Sequence, residues 1–327
     1  MTKIAIAGAG LAGLALAHSL REQADITVFE KARGVGGRMA TRYADPWQFD
    51  HGAQFFTALT EPFQRFLAPL IESGIVMRWD ARFAEFIGAE QTAHWQWDST
   101  RPHYVGAPKM NAVAKHLAAG LDIRLATLID SVSRNGDYWT LTDGDGESLG
   151  AFDWLVSTAP APQSAALLPP EFAHHSAIAG AEMRACFALM LGFDGPLPFD
   201  WDAAHVGGAD ISWMSVNSAK PGRDTAPSLL VHSTNAWADA HIEDDHDAVQ
   251  AHLLSEASRI SGHDLSSAAH IAVHRWLYAN LPKREGPAAL IDPDTQLAAC
   301  GDWCVQGRVE AALTSAIALS ENLKALL

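Results

Sequence analysis

The sequence predicts an α/β protein with two intertwined domains, and three observations support this fold class. Residues 3–7 form a short apolar run, residues 11–22 have helical apolar spacing, and residues 25–30 form a second apolar run, so the chain opens as strand, helix and strand. Near its end the chain again has an apolar strand followed by a helix, with a predicted strand at residues 297–301 and a long Ala-rich helix after it. The 327 residues also exceed what one hydrophobic core usually serves.

The elements between these ends follow from local patterns. Between residues 31 and 160 the patterns predict two helices and several strands. The residue pattern of the middle of the chain differs from that of the two ends, which predicts a second, mixed-sheet α+β domain. The predicted elements are helices at 61–74, 112–121 and 243–262, strands within 78–106 and at 123–128, 138–142, 154–158, 186–193 and 228–233, a turn at 135–137, and loops at 195–198 and 219–227.

Charge and composition exclude several classes of protein. The formal net charge is −15 with a pI near 5.3, so nucleic acid and anionic membranes are not expected partners. Cys186, Cys300 and Cys304 are too few for a disulfide framework; Cys300 and Cys304 could form a redox pair, although free buried thiols are favoured. No stretch has about 20 continuous apolar residues and no targeting signal is convincing, which predicts a cytoplasmic protein.

A glycine motif follows the first predicted strand. In Gly8-Ala9-Gly10-Leu11-Ala12-Gly13, the first glycine permits a tight turn, the second lets backbone approach a pyrophosphate, and the third lets helix and strand pack closely. The N–H groups at the helix start, at Leu11 and Ala12, then face the phosphates. An ordinary glycine-rich turn is the alternative interpretation.

Glu30 ends the second predicted strand, where a carboxylate suits the two hydroxyls of an adenosine ribose and repels a 2′-phosphate. The glycine motif and Glu30 together predict a dinucleotide ligand bound to a Rossmann-type unit. Lys31 is included among the candidate cofactor-binding residues.

The next motif carries a resemblance to a known family. Arg33-Gly34-Val35-Gly36-Gly37-Arg38-Met39-Ala40-Thr41 matches the pattern R-x-x-G-G-R-x-x-[ST], and here the sequence resembles the flavin amine oxidase superfamily. The resemblance implies non-covalent FAD as cofactor, close approach of the cofactor at Gly37, and Arg38 near its phosphates. Surface charge is the alternative role for the two arginines.

Asp50-His51-Gly52-Ala53-Gln54-Phe55-Phe56 resembles the family segment D-x-G-A-x-x-F, which runs beside the isoalloxazine ring. The resemblance therefore makes Ala53, Gln54 and Phe55 candidate flavin contacts. His51 could act as a base, but a packed or solvent-facing histidine is the favoured interpretation.

Later segments extend the resemblance to the C-terminus. Residues 123–132 resemble the family strand and turn that reach the adenine, with Ile129 at the matching position, and Ser157-Thr158-Ala159-Pro160 resembles the strand end that closes the FAD domain. Residues 301–312 resemble the C-terminal flavin motif, in which a helix N-terminus faces the pyrimidine edge of the flavin and stabilises negative charge there. The candidate residues of this motif are Gly301, Asp302, Val309, Glu310, Ala311 and Ala312.

A closer resemblance concerns the substrate. Residues 274–279 resemble the W-x-Y-A segment of renalase and its bacterial relatives, and residues 160–163 and 230–237 are also similar to that family. On a strand, Trp276 and Tyr278 share a face and could wall the space over the flavin, with core packing as the alternative. His232 could hydrogen-bond substrate or be a buried structural histidine.

The renalase-like resemblance implies hydride transfer from a 1,2-dihydro isomer of NAD(P)H to flavin, followed by reoxidation by O2 to give H2O2. Aromatisation of the ring drives hydride loss, so neither a catalytic acid or base nor a metal is predicted. A flavin amine oxidase acting on a small amine is one alternative, but Lys220, Lys283 and Lys324 lack a convincing context for that family's flavin-proximal lysine. A non-enzymatic flavin-binding or sensor protein is the other alternative.

The domain limits follow from the same motifs. Residues 1–75, 105–163 and 273–327 are predicted to form the FAD-binding domain, and residues 76–104 and 164–272 the substrate domain. This arrangement corresponds to a p-hydroxybenzoate hydroxylase/amine oxidase-like architecture. The expected partners are a small-molecule substrate, either a dihydronicotinamide dinucleotide or an amine, and O2. The exact substrate, the oligomeric state and a role for O2 as physiological acceptor remain open at this point.

Overall fold

A computed structural model describes residues 1–223 and 226–327, and the chain forms two compact units. Unit 1 comprises Met1–Gly37, Val113–Met183 and Asn280–Leu327, and unit 2 comprises Arg38–Ala112 and Arg184–Ala279. The loop predicted at residues 219–227 includes Asp224 and Thr225, which lie outside the described residues.

The strands of the described residues are β1 (Thr2–Ala7), β2 (Ala24–Glu30), β3 (Arg42–Ala44), β4 (Trp47–Phe49), β5 (Val76–Arg78), β6 (Arg82–Ile87), β7 (Glu90–Gln96), β8 (Tyr104–Gly106), β9 (Asp122–Leu125), β10 (Ser131–Asn135), β11 (Tyr138–Thr142), β12 (Ser148–Phe152), β13 (Trp154–Ser157), β14 (Arg184–Gly192), β15 (Ala203–Gly207), β16 (Ile211–Val216), β17 (Ser228–Ser233), β18 (His270–Asn280), β19 (Ala289–Asp292) and β20 (Leu297–Cys300). The helices are α1 (Leu11–Leu20), α2 (Glu61–Glu72), α3 (Ala112–Ala118), α4 (Ala161–Leu167), α5 (His175–Ala179), α6 (Asn235–Ala240), α7 (His246–Ser261) and α8 (Val309–Lys324). Short 3-10 turns lie at Gly37–Met39, Asn217–Ala219 and Asp302–Cys304.

Unit 1 is built on a six-stranded sheet with the order β19-β20-β13-β1-β2-β9. All neighbouring pairs are parallel except β19 and β20. β13 and β20 are buried along their whole length and β1 along its last four residues, as expected for a sheet covered on both faces. The predicted α/β class with a Rossmann-type opening is therefore confirmed.

The strand order of this sheet locates its binding edge. From β1 the chain runs outward through β2 to β9, and it then returns to β13 on the other side of β1. In open α/β sheets, ligands bind where the order reverses, outside the carboxyl ends of the strands. Here that place lies between Gly8, which follows β1, and Thr158, which follows β13.

The first and last helices of unit 1 pack against each other. The Ser19 hydroxyl lies 2.9 Å from the Ser320 hydroxyl, and Lys324 Nζ donates to Ser19 Oγ at 3.0 Å. Contacts between the two ends of the chain therefore help to close this unit.

Unit 2 is built on a seven-stranded sheet with the order β18-β14-β17-β16-β15-β6-β7. β15 pairs with β6 in parallel, whereas β14–β17, β17–β16, β16–β15 and β6–β7 are antiparallel, which confirms the predicted mixed sheet. Helix α7 buries Val249, Leu253, Ala257 and Ile260, a spacing that forms one apolar stripe, in the core of this unit.

The compact units differ from the predicted domain limits. Residues 38–75, 105–112 and 273–279 lie in unit 2, whereas residues 164–183 lie in unit 1. Packing explains both differences: Phe49 is buried with Met190 and Leu230 in unit 2, and Phe172 and Ile178 belong to the core of unit 1. The assignment of binding roles to the predicted domains stays a prediction.

Among the helices of the described residues, none has the length and apolar character needed to cross a bilayer.

Candidate functional site

The glycine loop of unit 1 is closely packed on one side and open on the other. Gly8 has a φ of +111°, and a Cβ on Gly13 would lie 2.1 Å from the Gly8 carbonyl oxygen, so both positions need glycine. A Cβ on Gly10 would meet nothing within 4 Å, which leaves open space beside the loop. Gly10 caps helix α1 without a side-chain hydrogen bond, so the first N–H groups of the helix, including those of Leu11 and Ala12, have no side-chain cap.

Glu30 is held at this loop by two hydrogen bonds. Its Oε2 accepts from the Ala9 N–H and its Oε1 from the Ala32 N–H, both at 2.8 Å. A carboxylate has about four lone-pair sites, so acceptor capacity remains for ribose hydroxyls. Lys31, next along the chain, is exposed.

Two further segments of unit 1 meet the loop and Glu30. Gly36 N–H donates to the Ala9 carbonyl at 2.9 Å, and Gly37, at a φ of +52°, lies against Gly10. Thr127 N–H donates to the Glu30 carbonyl at 2.9 Å, two residues before Ile129. The Ile129 side chain is buried in the core, so only its backbone is available to a ligand.

The segment after β13 connects the glycine loop with the C-terminal motif. Thr158 Oγ1 lies 2.9 Å from the Gly8 carbonyl oxygen, and Trp303 Nε1 donates to the Ala159 carbonyl at 2.9 Å. Gly301 N–H donates to Ser315 Oγ at 2.8 Å, which ties the end of β20 to helix α8. The structure thus brings three of the predicted motifs to one edge of the sheet.

The C-terminal motif is tightly packed up to the start of α8. A Cβ on Gly301 would lie 2.6 Å from the Trp303 indole nitrogen, and Asp302 is buried. Helix α8 follows Arg308, which provides no side-chain cap. Its first turn contains the predicted residues Val309, Glu310, Ala311 and Ala312.

In unit 2, the segment containing Arg38 contacts the segment containing Ala53. Ala53 N–H donates to the Arg38 carbonyl at 2.8 Å, and a Cβ on Gly52 would lie 2.0 Å from the same oxygen. Only glycine at position 52 permits this approach. The Arg38 guanidinium donates to the Ala279 carbonyl at 3.0 Å.

The predicted contacts Gln54 and Phe55 are both tightly held. Gln54 is buried, and among the described residues its amide hydrogen-bonds Asp50, Gly52, Ser215 and Lys220, all within unit 2. The Phe55 ring lies 5.1 Å from the rings of Trp97 and His103 and 5.3 Å from that of Trp213.

A buried charged cluster lies next to Gln54. Asp50 accepts from Arg223 at 2.5 Å and lies 3.6 Å from Lys220 Nζ. Burial alone would raise the pKa of Asp50, but Lys220, Arg223 and the Met110 N–H hold that pKa below its ordinary value. Burial lowers the pKa of Lys220 to about 8 despite the opposing effect of Asp50. At pH 7 the cluster therefore carries two positive charges and one negative charge.

Two predicted substrate residues converge on one carbonyl group. The His51 carbonyl accepts from Trp276 Nε1 at 2.9 Å and from His232 Nε2 at 3.1 Å. Because a carbonyl only accepts, Nε2 of His232 carries the proton. Tyr278 lies two residues along β18 from Trp276 and is partly buried.

Burial keeps the histidines of this region neutral. It lowers the pKa of His51 to about 3, assisted by His274 and Arg42, and lowers that of His232 to about 4. The His51 ring packs against those of His274 and Trp276, with centroids 4.8 and 4.9 Å away. His51 is thus a packed residue and a very weak base, as favoured from the sequence.

These depressed values predict a loss of stability in acid. In the unfolded chain these histidines become protonated near pH 6.5, whereas in the folded protein His51 and His232 stay neutral until the pH approaches their depressed pKa values. The free energy of unfolding therefore decreases as the pH falls from 6.5 toward the folded pKa values. We expect the free energy of unfolding to drop between pH 7 and pH 5 by about 1–2 kcal/mol per histidine. Urea denaturation at pH 7 and at pH 5 measures this change in the free energy of unfolding.

The variant H232Q should make this pH dependence shallower, while H205Q, a change at an exposed histidine of β15, should not. An equally steep profile for H232Q would contradict the assignment.

The sequence matches two family models. Residues 6–70 match an NAD(P)-binding Rossmann-like domain, and residues 88–323 match the family described as flavin containing amine oxidoreductase. The second match covers more than two thirds of the chain. The chain belongs to the flavin-containing amine oxidoreductases. Membership confirms the prediction of an FAD-dependent oxidoreductase and of FAD as cofactor.

Matches to curated relatives of this flavin-containing amine oxidoreductase are partial. The chain is 31% identical over 150 residues to acetone monooxygenase (methyl acetate-forming) of Gordonia sp. (strain TY-5), covering 45% of this chain and 23% of that protein. It is 40% identical over 73 residues to a prenylcysteine oxidase 1-like protein of Bos taurus, covering 21% of this chain and 15% of that protein. These matches span less than a quarter of either relative.

Solved structures share the fold over the whole chain. A protein assigned as a protoporphyrinogen oxidase from Exiguobacterium sp. 255-15 aligns with a TM-score of 0.77 at 16% identity, covering 100% of this chain and 99% of that one. Putrescine oxidase bound to putrescine aligns with a TM-score of 0.71 at 13% identity, covering 99% of both chains. At these identities the similarity concerns the fold alone.

The cysteines of this flavin-containing amine oxidoreductase are free and buried, as favoured from the sequence. Burial raises the pKa of Cys304 to about 12 and that of Cys300 well above its ordinary value. Both are therefore thiols at neutral pH, and neither is an activated nucleophile. Within residues 1–223 and 226–327, no group of three or more His, Cys, Asp or Glu side chains is arranged to hold a metal ion.

The environment of Lys220 differs from what the sequence indicates. The segment Ser218-Ala219-Lys220-Pro221-Gly222 has the composition of an exposed turn, which offers Lys220 no convincing functional context. In the structure the Lys220 side chain is fully buried beside Gln54. No local signal in the sequence marks this burial.

Proposed function

We propose that this flavin-containing amine oxidoreductase oxidises 1,2-dihydro isomers of NAD(P)H to NAD(P)+, with O2 as the final acceptor. FAD, when bound, would supply the acceptor for the hydride from the dihydropyridine carbon, and the two electrons and one proton of that hydride, together with one proton from solvent, would convert O2 to H2O2. The observation that carries the proposal is the packing of His51 against His274 and Trp276 and the hydrogen bond of His232 to the His51 carbonyl, an environment that holds the pKa values of both histidines well below the ordinary value.

The chemistry of the two candidate substrates differs in proton demand. A dihydropyridine that loses hydride becomes an aromatic cation and releases no proton. A primary amine is protonated at neutral pH, so its oxidation requires loss of a proton as well as a hydride. His51 and His232, with pKa values near 3 and 4, cannot take that proton efficiently near pH 7.

The cofactor contacts proposed for unit 1 follow its geometry. The N–H groups at the start of α1 would bind the pyrophosphate beside Gly10, where space is open, and the remaining acceptor sites of Glu30 would bind the ribose. Asp302 and the uncapped start of α8 would contact the flavin half of the cofactor.

In unit 2, Trp276 would orient the substrate as a flat wall. Its indole N–H is already donated to the His51 carbonyl, so the ring orientation is set before substrate binds. Such preorganisation lowers the entropic cost of placing a flat ring in a reactive position. Tyr278, on the same strand, and His232 would complete the substrate contacts of this unit.

Oxidation of a small amine is the second candidate, because the matching family is named for amine oxidoreductases. The buried ammonium of Lys220 does not favour it over the first candidate, since Lys220 is bonded to Gln54 and Asn217. A non-enzymatic flavin protein is the third candidate, and it predicts bound FAD without turnover.

Anaerobic flavin bleaching distinguishes the three. The purified protein is mixed separately with 1,2-dihydro-NAD, ordinary 1,4-NADH and a panel of small amines, and absorbance near ~450 nm, the band of oxidised flavin, is followed. Rapid bleaching by the 1,2-isomer alone is expected. Bleaching by an amine with the isomer inert would overturn the proposal in favour of amine oxidation, and no bleaching by any compound would favour the non-enzymatic candidate.

A further inference from the structure

The Lys220 side chain is buried among partners that all accept hydrogen bonds. Its exposed fraction is 0%, and Nζ donates to Gln54 Oε1 at 3.1 Å and to Asn217 Oδ1 at 3.0 Å. The carboxylate of Asp50 lies 3.6 Å away, and the centroid of the Trp79 ring lies 5.6 Å away. A buried ammonium is costly unless it is bonded in this way.

Lys220 and two backbone carbonyls together fix the orientation of the Gln54 amide. Gln54 Oε1 accepts from Lys220 and from Ser215 Oγ at 2.9 Å, and Nε2 donates to the Asp50 carbonyl at 2.5 Å and the Gly52 carbonyl at 2.9 Å. Since an ammonium can only donate, a flipped amide would direct its NH2 group at Lys220. The Gln54 amide thus links the Lys220 ammonium to the backbone carbonyls of Asp50 and Gly52.

Charge balance does not require Lys220. Asp50 also accepts from Arg223 at 2.5 Å, from Thr41 Oγ1 at 2.8 Å and from the Met110 N–H at 3.0 Å. With Arg223 alone the cluster would be neutral, so Lys220 adds an uncompensated buried charge. Neutralisation of Asp50 therefore does not explain why Lys220 is buried here.

We propose that Lys220 is a positioning residue that acts through the Gln54 amide and holds residues 50–55 in the conformation that contacts FAD. The inference rests on the proposed role of Ala53, Gln54 and Phe55 as cofactor contacts. Lys220 itself bonds Gln54 and Asn217. Loosening Gln54 would free the backbone that carries Ala53 and Phe55.

The test is a double-mutant cycle on FAD binding, which needs no substrate. Apo-protein is titrated with FAD for the unaltered chain, K220M, Q54L and the double variant. We expect each single variant to weaken FAD binding about tenfold, because a buried hydrogen-bond anchor is lost. The double variant should be no weaker than the worse single variant, since both changes remove the same link.

Folding is not expected to obscure the result. K220M leaves the Asp50–Arg223 pair intact, so no buried carboxylate is left unpaired. If Q54L fails to fold, S215A, which removes the other donor to Gln54 Oε1, replaces it in the cycle.

A matched control separates positioning from general destabilisation. Ser233 is buried in the same seven-stranded sheet and accepts from the Phe187 N–H at 2.9 Å, without contact to Gln54. S233A should lower the melting temperature of the apo-protein and leave FAD affinity unchanged. Unchanged FAD affinity in K220M, or additive losses in the double variant, would overturn the proposal. Neither result depends on which substrate is oxidised.

Discussion

Asp50→Asn is expected to lower the free energy of unfolding by about 3–5 kcal/mol, the cost of removing one partner from a buried ion pair. The change leaves Lys220 and Arg223, with side chains 0% and 2% exposed, without a carboxylate. Thr41 and the Met110 N–H donate to one oxygen of Asp50 and Arg223 donates to the other, so the single amide oxygen of this variant can accept on one side only, and a hydrogen-bond acceptor is lost together with the charge.

The pH dependence identifies the cause of this loss. Burial already lowers the pKa of Lys220 to about 8, and Asp50 opposes that shift, so D50N should lower the value further. In the folded variant Lys220 loses its proton at a lower pH than in the unfolded chain. The free energy of unfolding therefore rises with pH until the pH reaches the pKa of lysine in the unfolded chain. The destabilisation of D50N should therefore be larger at pH 6 than at pH 9.

Urea unfolding at the two pH values measures both effects, and hydrogen exchange in β16 and β17 localises them to unit 2. T41V is the matched control: it removes one hydrogen bond to Asp50 but no charge, and should cost about 1 kcal/mol. A D50N loss no greater than that of T41V at both pH values would show that the buried charges are not held by Asp50.

Gly13→Ala is expected to abolish FAD binding and to destabilise unit 1 by about 3 kcal/mol or more. The new Cβ would lie 2.1 Å from the Gly8 carbonyl oxygen and 2.6 Å from Thr158 Oγ1, so α1 must move away from β1. In an open helix the same change would stabilise by about 1 kcal/mol, so the clash reverses the usual sign.

Gly10→Ala tests the same loop without the clash. Its Cβ would meet no protein atom within 4 Å, and its φ of −75° suits alanine, so the apo-protein should stay folded. If the pyrophosphate lies beside Gly10, FAD affinity should fall about tenfold or more. G144A, also in open space, is the control. If G10A binds FAD as tightly as the unaltered protein, the phosphates do not lie beside Gly10. If G13A is stable and binds FAD, the predicted clash of its Cβ with Gly8 and Thr158 is wrong.

The glycine motifs were predictable because their reason is local. Gly8 and Gly37 have positive φ, and Gly13 and Gly52 allow backbone approaches that any Cβ would block. Such requirements appear as glycine at set spacings, and Glu30 at the end of β2 follows from the same unit. The α/β class and a dinucleotide site could therefore be predicted from the sequence, and the FAD cofactor and the oxidoreductase class followed from the resemblance to the flavin amine oxidase superfamily.

Side-chain roles within the motifs were less predictable. The sequence makes Gln54 a candidate flavin contact, yet its amide is bonded inside unit 2. Trp276 and His232 are candidate substrate contacts from the sequence, with packing roles as the alternative, and in the structure both donate to the His51 carbonyl. A residue pattern states which side chains are present, but hydrogen-bond partners depend on which strands become neighbours.

The sequence by itself determined the dinucleotide-binding unit, because a tight turn, a helix start and a buried strand are set by residues close together in the chain. The tertiary structure alone decided the burial of Lys220 and Arg223. Their partners Gln54 and Asp50 lie 166 and 173 residues away, and the packing of the segment after β4 against the segment between β16 and β17 brings them together. A polar loop has the same composition whether it faces water or a buried carboxylate, because burial depends on the rest of the chain.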